Sequence, residues 1–364
     1  MAIEPFGERC RRAGEIARAA GAGSLLVADP ATVHWLTGRQ QEVEFGPPYP
    51  ISAGTLVQLY PDGSGRIICP IDDEAAGPAV PGLVVDTYEG YTIGPLRPYA
   101  NALAFLDLSG LMAIEADAVA ASLVAGCRWV DVTAPLRWTR VLKDSVEIDG
   151  IRATCGVVSA GQRAFRSAVR AGRREIEVFS EVHAAMEASA GGRVAVLPDL
   201  MSGTRMMEVG RPPTDRVIGP DELALCDLAA RHAGQWADSC TTVCVGTPTA
   251  EMRRLHDACR RALDEVIAAA RPGARAGDID ALARSRMAEA GYRYPHHTGH
   301  GVGAGYHEEP RIVPGSEAVL EAGMVVALEP AGFGGGIGAR VEHIVLVGPD
   351  GNEILTDYDT RLER

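Results

Sequence analysis

The chain has 364 residues, a length that predicts two domains at about 100–200 residues each. Hydrophobic residues make up 46% of the chain and charged residues 23%, a balance typical of globular proteins that excludes extensive disorder. Acidic residues outnumber basic ones by 48 to 35, and the net charge of −13 disfavours nucleic acids and anionic membranes as partners. No apolar run reaches the ~18 residues of a membrane span and no secretory signal is visible, so we expect a cytoplasmic protein.

Short strands alternate with helices in the first third of the chain, bounded by Gly, Pro and Asp. In chain order the pattern predicts a helix at 5–20, strands at 24–28, 55–60, 65–69 and 83–87, a helix from about 96 to 108, a strand at 111–115 and a helix at 117–125. This alternation is typical of an α/β fold, so residues 1–135 are predicted to form an α/β N-terminal domain.

Longer amphipathic helices follow a connecting segment at 133–148. The apolar spacing predicts helices at 147–170 and 174–190, strands at 193–202, 222–230 and 235–245, helices at 251–270 and 279–290, and strands with Gly-rich turns from 299 onward. Helices beside mostly antiparallel strands indicate an α+β second domain, which we place at residues 136–364.

Lysine and cysteine usage narrows the possible chemistry. Lys143 is the only lysine, so a Gly-Lys-Ser/Thr phosphate-binding loop is excluded and any Schiff-base chemistry would have to use this residue. The eight cysteines form no Cys-x-x-Cys pair, which disfavours a zinc ribbon or a redox motif. We expect reduced thiols that pack as small hydrophobic side chains.

A first acidic pair is predicted on a β-hairpin in the segment 222–245. Two apolar stretches flank a turn at 231–234, and a hairpin centred between positions 232 and 233 sets Asp227 opposite Asp238. Directly opposed residues have Cβ atoms ~4.5–5.5 Å apart. Period-two alternation turns the Asp227 carboxylate toward an apolar layer.

A second acidic pair follows the same construction near the C-terminus. An apolar run ends in Glu329, a Gly-rich turn follows at 334–336, and a second run at 339–347 contains Glu342. A hairpin centred between positions 335 and 336 sets Glu329 opposite Glu342. A one-residue slip would break this pairing.

Four carboxylates at one place repel one another and resist transfer out of water. One of them could be protonated, or Arg340 could pair with one, but two divalent cations would balance all four charges. Four of the nine histidines lie among glycines at positions 296, 297, 300 and 307. Either acidic pair alone is more typical of a solvated strand edge, whereas both pairs with the histidine run favour a metal centre. Oxygen ligands with one or two imidazoles suit Mn²⁺, Fe²⁺, Co²⁺ or Zn²⁺.

The order of these residues resembles the metallopeptidase family with the pita-bread fold, which includes Xaa-Pro aminopeptidases, prolidases, methionine aminopeptidases and the metal-free creatinase. Local motifs carry the resemblance over nearly the whole chain: HWLTGR at 34–39, TGHGVG at 298–303, HEEP at 307–310, GMVVALEP at 323–330 and ARVEHIVLV at 339–347. The resemblance implies a creatinase-type N-terminal domain, a catalytic pita-bread domain, and a homodimer in which the N-terminal domain reaches the partner's active site.

The resemblance also implies a set of metal ligands. Asp238 and Glu342 would bridge two divalent ions, with Mn²⁺ as first choice and Fe²⁺, Co²⁺ or Zn²⁺ as alternatives. Asp227 would complete one site. His300 and Glu329 would complete the other. Such a metal pair generates hydroxide near neutral pH and polarises a substrate carbonyl.

Four residues are implied to be catalytic. Glu329 would be the proton shuttle. His296 and His307 would line the substrate side, and Arg340 would support the metal ligands. The implied activity is hydrolysis of a short peptide by an Xaa-Pro aminopeptidase or dipeptidase.

The residues around the ligands depart from the family's motifs. Val209 replaces the substrate-contacting His of a His-Gly-Arg-Pro word, and His343 replaces the usual acid after Glu342. The Asp-x-Thr-Arg-Thr word has lost its Arg and carries Cys240. These changes leave open a second function, in which a C–N bond of a small metabolite is cleaved or lyase chemistry occurs. A non-catalytic binding protein is a third alternative, which the complete ligand set disfavours.

The surroundings of Val209 would separate the two enzymatic alternatives. An acid there that binds an amine favours a peptidase, whereas a closed pocket with Cys240 and Arg side chains favours a metabolite. If the missing imidazole matters, the protein turns over Xaa-Pro dipeptides poorly and Val209→His improves it.

Overall fold

The computed structural model describes residues 4–40, 54–71, 77–90 and 98–363 of the chain. Two compact units divide the chain, Met1–Arg140 and Val141–Arg364. Among the described residues, no helix combines the length and apolar character that crossing a bilayer requires.

Within its described residues, the first unit is built on a mixed six-stranded sheet with the order β4-β3-β2-β1-β5-β6. Its elements are α1 (Glu4–Ala19), β1 (Ser24–Val27), α2 (Pro30–Thr37), β2 (Leu56–Leu59), β3 (Gly65–Pro70), β4 (Leu83–Tyr88), α3 (Pro98–Leu103), β5 (Leu111–Ile114), β6 (Arg128–Asp131) and α4 (Thr133–Trp138). β1 pairs antiparallel with β2 and parallel with β5, and it is buried along its whole length, as a central strand should be.

The predictions for this unit are confirmed for α1 and for five strands. The predicted helix at 117–125 is wrong, because only a 3₁₀ turn forms at Ala121–Leu123 and no side chain caps its start. The helix predicted from about 96 ends at Leu103, and its first residues lie outside the described part of the chain. β6 was not predicted because this largely exposed edge strand shows no apolar alternation.

The second unit combines four longer helices with antiparallel sheets. Its elements are α5 (Ser145–Ala168), α6 (Glu175–Ala190), β7 (Ala195–Ser202), β8 (Glu222–His232), β9 (Gln235–Ala237), β10 (Cys240–Val245), α7 (Ala250–Ala269), α8 (Ala276–Glu289), β11 (Gly299–Gly301), β12 (Glu308–Ile312), β13 (Val325–Leu328), β14 (Ala331–Gly334), β15 (Ile337–Arg340), β16 (His343–Leu346) and β17 (Glu353–Ile354). One sheet has the order β10-β8-β7 with β9 beside β8, a second has the order β12-β11-β13-β16-β17, and β14 pairs with β15.

Two apolar layers hold this unit together. The helices α5 and α6 pack with β7, β8 and β10, and α7 and α8 pack with β12, β13 and β16. The segment predicted as a connection at 133–148 instead contains α4 and the start of α5. The Asp144 side chain accepts hydrogen bonds from the amides of Val146 and Glu147, which fixes the beginning of α5.

The first hairpin has a different register from the predicted one. Its turn is Ala233-Gly234, where both residues have positive φ, as a two-residue hairpin turn requires. The pairing is therefore displaced by two residues, and Asp227 lies opposite Cys240 rather than Asp238. A displacement of two keeps the same side chains on each face, so Asp227 still faces the predicted apolar layer.

The strand predicted at 235–245 is also interrupted. Residues 238 and 239 are not part of either β9 or β10. Gln162 of α5 donates a hydrogen bond to the Ser239 carbonyl at 2.9 Å, and the Ser239 amide donates to Asp238 Oδ1 at 2.8 Å. These bonds satisfy the backbone at the gap and fix the Asp238 carboxylate at the end of β9.

The second hairpin has the predicted register. Gly334 pairs with Ile337 across the turn, and Leu328 pairs with His343 farther along the same two arms. The β13–β16 and β14–β15 pairings therefore share one register. Glu329 and Glu342 lie in the short interruption between these two ladders, where that register sets them opposite each other.

Candidate metal centre

Three carboxylates meet where the two hairpins come together in the second unit. Asp227 on β8, Asp238 after β9 and Glu342 before β16 each place an oxygen within 4.8 Å of the others. All three side chains are buried. The predicted grouping of acids from both hairpins is present, although the first hairpin reaches it by another register.

His300 and Glu329 lie beside these carboxylates. His300 Nε2 is 3.5 Å from Glu329 Oε1 and 3.9 Å from Asp238 Oδ2. The other ring nitrogen, Nδ1, is 2.9 Å from the Gly301 carbonyl and can only donate to it. This contact assigns the proton to Nδ1 and leaves the Nε2 lone pair directed at the acids, as in histidines that bind metals.

The electrostatics of the centre favour bound cations. Burial, followed by the charges of neighbouring acids, raises the pKa of Asp238 and of Glu342 well above the ordinary carboxyl range. Burial lowers the pKa of His300 well below 6.5. Within the described ranges, neither oxygen of Glu342 nor Nε2 of His300 has a hydrogen-bond partner. Carboxylate oxygens with one imidazole are a donor set that fits divalent metal ions.

Arg340 contacts the acids as the sequence suggested. Its Nη1 donates to Asp227 Oδ2, its Nη2 donates to the Val209 carbonyl at 2.9 Å, and its Nε is 3.8 Å from Glu329. Because the guanidinium is a fixed planar donor, one side chain orients the Asp227 carboxylate and the backbone carbonyl at position 209.

Val209 occupies a γ-turn with positive φ. Its φ is 73° and its ψ −49°, and the Gly210 amide donates to the Glu208 carbonyl at 3.0 Å. This conformation is strained for a β-branched residue. The turn directs the Val209 carbonyl toward Arg340, so this position contributes a main-chain contact to the centre and no imidazole.

Asp199 is an additional acid that the sequence analysis did not identify. It lies on β7 directly opposite Asp227 on the same face of the sheet. A Cβ atom on Gly210 would approach Asp199 Oδ2 to 2.4 Å, so this carboxylate packs against the turn at Val209. Burial, followed by the charge of Asp227, raises the pKa of Asp199 to about 6.

The other histidines of the 296–307 run lie close to Glu329 or to His300. His296 Nδ1 is 3.9 Å from Glu329 Oε2. His297 Nε2 is 2.7 Å from Glu329 Oε1, which gives this histidine a contact that the sequence analysis did not assign. The rings of His300 and His307 are 3.9 Å apart.

Arg311 connects two of these histidines. Its guanidinium donates to His297 Nδ1 at 3.2 Å and to His307 Nδ1 at 3.1 Å. Because Nδ1 of His297 accepts, Nε2 carries the proton and donates to Glu329. Arg311 follows the HEEP word directly, which is a sequence signal that could have identified it.

The buried carboxylates and the imidazole of His300 form a donor set typical of proteins that bind divalent metal ions. The family model described as metallopeptidase family M24 matches residues 149–349, more than half of the chain, and the chain belongs to this family.

Curated relatives align with part of the chain. It is 39% identical over 154 residues to a Xaa-Pro dipeptidase of Lactobacillus helveticus, covering 42% of each chain. It is 33% identical over 223 residues to the probable dipeptidase PepE of Mycobacterium tuberculosis, covering 60% of this chain and 59% of the relative. The chain thus spans less than two thirds of the length of these relatives.

Solved structures match almost the whole chain. The prolidase from Pyrococcus horikoshii superposes with a TM-score of 0.85 at 23% identity and covers 98% of this chain and 99% of its own. The dipeptidase PepE from Mycobacterium ulcerans superposes with a TM-score of 0.82 at 25% identity and covers 100% and 98%. These superpositions establish the predicted two-part fold, an α/β N-terminal unit followed by a pita-bread unit.

Proposed function

We propose that the protein is a dinuclear metal-dependent hydrolase of short peptides, most similar in activity to Xaa-Pro dipeptidases and aminopeptidases. One observation carries the proposal, the convergence of four buried carboxylates and one buried imidazole, of which both oxygens of Glu342 and Nε2 of His300 have no hydrogen-bond partner among the described residues. These donors are Asp227, Asp238, His300, Glu329 and Glu342. The relatives named Xaa-Pro dipeptidase support the same activity.

The five proposed ligands form two overlapping sets, one for each of two cations. Asp227, Asp238 and Glu342 would hold one cation, and Asp238, Glu342, His300 and Glu329 would hold the other. Mn²⁺ is our first choice, with Fe²⁺, Co²⁺ and Zn²⁺ as alternatives. When bound, such cations supply Lewis acidity to a carbonyl oxygen and to water.

The surrounding residues handle protons and orientation. Glu329 is proposed to move the proton between water and the leaving amine, and His297 Nε2 donates to Glu329 Oε1 and holds that carboxylate in place. Arg340 orients Asp227. His296 and His307 are proposed to line the substrate side.

The charges beside the centre fit the two ends of a dipeptide. The Arg311 guanidinium lies next to His307 and has the planar donor geometry that recognises a carboxylate. Asp199 lies next to Val209 and can accept hydrogen bonds from an amine. A cation and an anion flanking the metal ligands favour a substrate with a free carboxylate and a free amine.

An alternative is a hydrolase or lyase that cleaves a C–N bond in a small metabolite. Two observations favour it. Cys240 lies directly opposite Asp227, and position 209 offers a carbonyl rather than an imidazole. A substrate with a compact cationic group would use Asp199 equally well.

The domain boundary, the cellular location and the oligomeric state are also part of this proposal. We place the boundary between the two domains near residue 135. We propose a cytoplasmic protein and a homodimer in which the N-terminal domain completes the partner's site. Light scattering of the purified protein tests the dimer, and a strict monomer at working concentration would contradict it.

The function is tested with metal-loaded protein and a matched substrate panel. We expect hydrolysis of Xaa-Pro dipeptides, loss of activity with chelator, and recovery with Mn²⁺. N-acetylated and C-amidated versions of the best dipeptide should react at least tenfold more slowly, because each removes one terminal charge. Small amides are included to test the alternative function. If only these amides are cleaved, the peptidase proposal is wrong and the alternative replaces it.

A further inference from the structure

Lys143, the only lysine of the chain, is buried and forms an ion pair. Its side chain is fully buried, and Nζ lies 2.9 Å from Glu308 Oε2, on a residue that is itself buried. The Lys143 amide donates to the Gly323 carbonyl at 3.0 Å, which fixes the backbone from which this side chain extends. A buried ammonium of this kind is unsuited to Schiff-base chemistry, because it faces a carboxylate.

Glu308 uses its second oxygen to hold a loop. Oε1 accepts a hydrogen bond from the Gly305 amide at 2.8 Å. A Cβ atom on Gly303 would lie 2.8 Å from Glu308 Oε2 and 2.9 Å from Lys143 Cε, so the ion pair packs directly against this glycine. The ion pair therefore packs against the loop at 303–307 and holds it to the interior of the unit.

This loop carries two rings of the metal centre. The His307 ring lies 3.9 Å from the His300 ring, and the Tyr306 ring lies 5.9 Å from it. His307 is exposed, and Arg311 contacts its Nδ1. Glu308, the next residue along the chain, ties the backbone of His307 to the interior of the unit.

We propose that Lys143 and Glu308 form a positioning pair that sets His307 and Tyr306 over His300. The inference rests on the proposed function only for its kinetic readout. Removing either charge breaks the 2.9 Å ion pair that links Glu308, and through it the Gly305 amide, to the interior of the unit, and we expect the loop to shift as a result. A displacement of about 1 Å at a substrate-facing group can lower turnover about a hundredfold.

The test uses full-length, metal-loaded protein and three variants. Lys143→Met and Glu308→Gln should each lower kcat roughly 10–100-fold, while KM and metal content stay within about twofold of wild type. Diethylpyrocarbonate modification of His307, followed by mass spectrometry with His232 as internal reference, should become at least threefold faster. This second readout requires no activity.

The double variant separates positioning from stability. Lys143→Met with Glu308→Gln removes both charges, so its resistance to urea should recover toward wild type, whereas kcat and His307 reactivity should stay altered. Arg216→Met is the matched control, because it breaks the Arg216–Glu222 ion pair of the same unit, outside the loop. It should change urea resistance alone.

Three results would overturn the inference. The first is a double variant with wild-type kcat and wild-type His307 reactivity. The second is a loss of kcat that follows the folded fraction in every variant. The third is a change in His307 reactivity in the Arg216 control equal to that in Lys143→Met. If no substrate of the panel is cleaved, the proposed function fails, and His307 reactivity still decides the role of the pair.

Discussion

Two buried glutamates, Glu115 of the first unit and Glu342 of the second, have different surroundings. Oε1 of Glu115 accepts a hydrogen bond from the Thr32 hydroxyl at 3.1 Å and has Arg137 Nε at 3.8 Å, while its Oε2 has no hydrogen-bond partner among the described residues. In the second unit, neither oxygen of Glu342 has a hydrogen-bond partner within the described ranges. The side chain of Glu115 is completely buried and that of Glu342 nearly so.

The difference fits the proposal that Glu342 binds a metal ion, whereas Glu115 belongs to the fold. Burial raises the pKa of Glu115 to about 7, with Asp29 adding to the rise while Arg140 and Arg137 oppose it. Burial raises the pKa of Glu342 well above its usual range, and the charge of Asp238 raises it further. A buried carboxyl among other acids either keeps its proton or ionises when a cation lies beside it, and a metal ion would be that cation at Glu342.

The largest effect is expected from removing the two carboxylates that are proposed to bind both cations. Asp238→Ala and Glu342→Ala should each lose most bound metal and lower activity by about a thousandfold or more, because each side chain is proposed to touch both ions. Glu115→Ala is the control and should keep its metal. Undiminished metal content in both centre variants, measured by mass spectrometry, would contradict the bridging assignment.

The second prediction compares the pH dependence of the two glutamates. Because the pKa of Glu115 is raised from 4.5 to about 7, its contribution to stability is complete below pH 4.5 and is lost as the pH rises to about 7. At about 1.4 kcal/mol per pH unit this loss is roughly 3 kcal/mol, and Glu115→Gln should abolish it. Urea unfolding between pH 4.5 and 8 measures the difference.

Glu342→Gln should behave differently from Glu115→Gln in the same experiment. With chelator at pH 8, Glu342→Gln should stabilise the protein, because an amide is neutral and a buried carboxyl has to be kept protonated above its usual pKa. With metal bound, the same substitution should destabilise the protein, because it removes a proposed ligand. If Glu342→Gln changes the resistance to urea equally with and without metal, Glu342 stabilises the fold, as Glu115 does, and does not bind metal.

The third prediction concerns Arg311. Arg311→Met should raise KM for free dipeptides about 10–100-fold, the equivalent of one charged hydrogen-bonded contact of about 1.5–3 kcal/mol. The C-amidated dipeptide should be nearly unaffected by the substitution. Equal losses on both substrates would mean that Arg311 acts through His297 and His307 rather than on the carboxylate.

The smallest effect is expected at position 209. Val209→His should raise kcat/KM for Xaa-Pro dipeptides up to about tenfold, because a neutral hydrogen bond contributes about 0.5–1.5 kcal/mol. Val209→Gly is the control, since glycine tolerates the positive φ and adds no imidazole. Rapid wild-type turnover, near the enzyme median of ~10 s⁻¹, would make the missing imidazole irrelevant.

The convergence of the proposed metal ligands could be predicted from the sequence, because the acids lie at fixed offsets within two local hairpins. The second hairpin was predicted in its correct register, since Gly335 and Gly336 mark the turn unambiguously. In the first hairpin, the single Gly234 is the second turn residue, and placing the centre one residue too early displaced the pairing by two.

Two kinds of feature were missed. The short helix α2 has an Asp29 cap, Pro30 at its start and Gly38 in the left-handed conformation at its end, all readable signals. The position of Asp199 near the other acids could not be predicted from such local signals. Its place opposite Asp227 depends on the pairing of β7 with β8, which joins residues far apart in the chain.

The continuous register of the second hairpin constrains how this protein can change in length. Residues added at the tip, beside Gly335 and Gly336, would lengthen the loop and leave both ladders paired as before. A single residue inserted in one arm, between Glu329 and the tip, would turn every side chain beyond it to the opposite face of the ribbon. Natural variation in length should therefore concentrate at the tip, and the arms should tolerate substitution but not insertion.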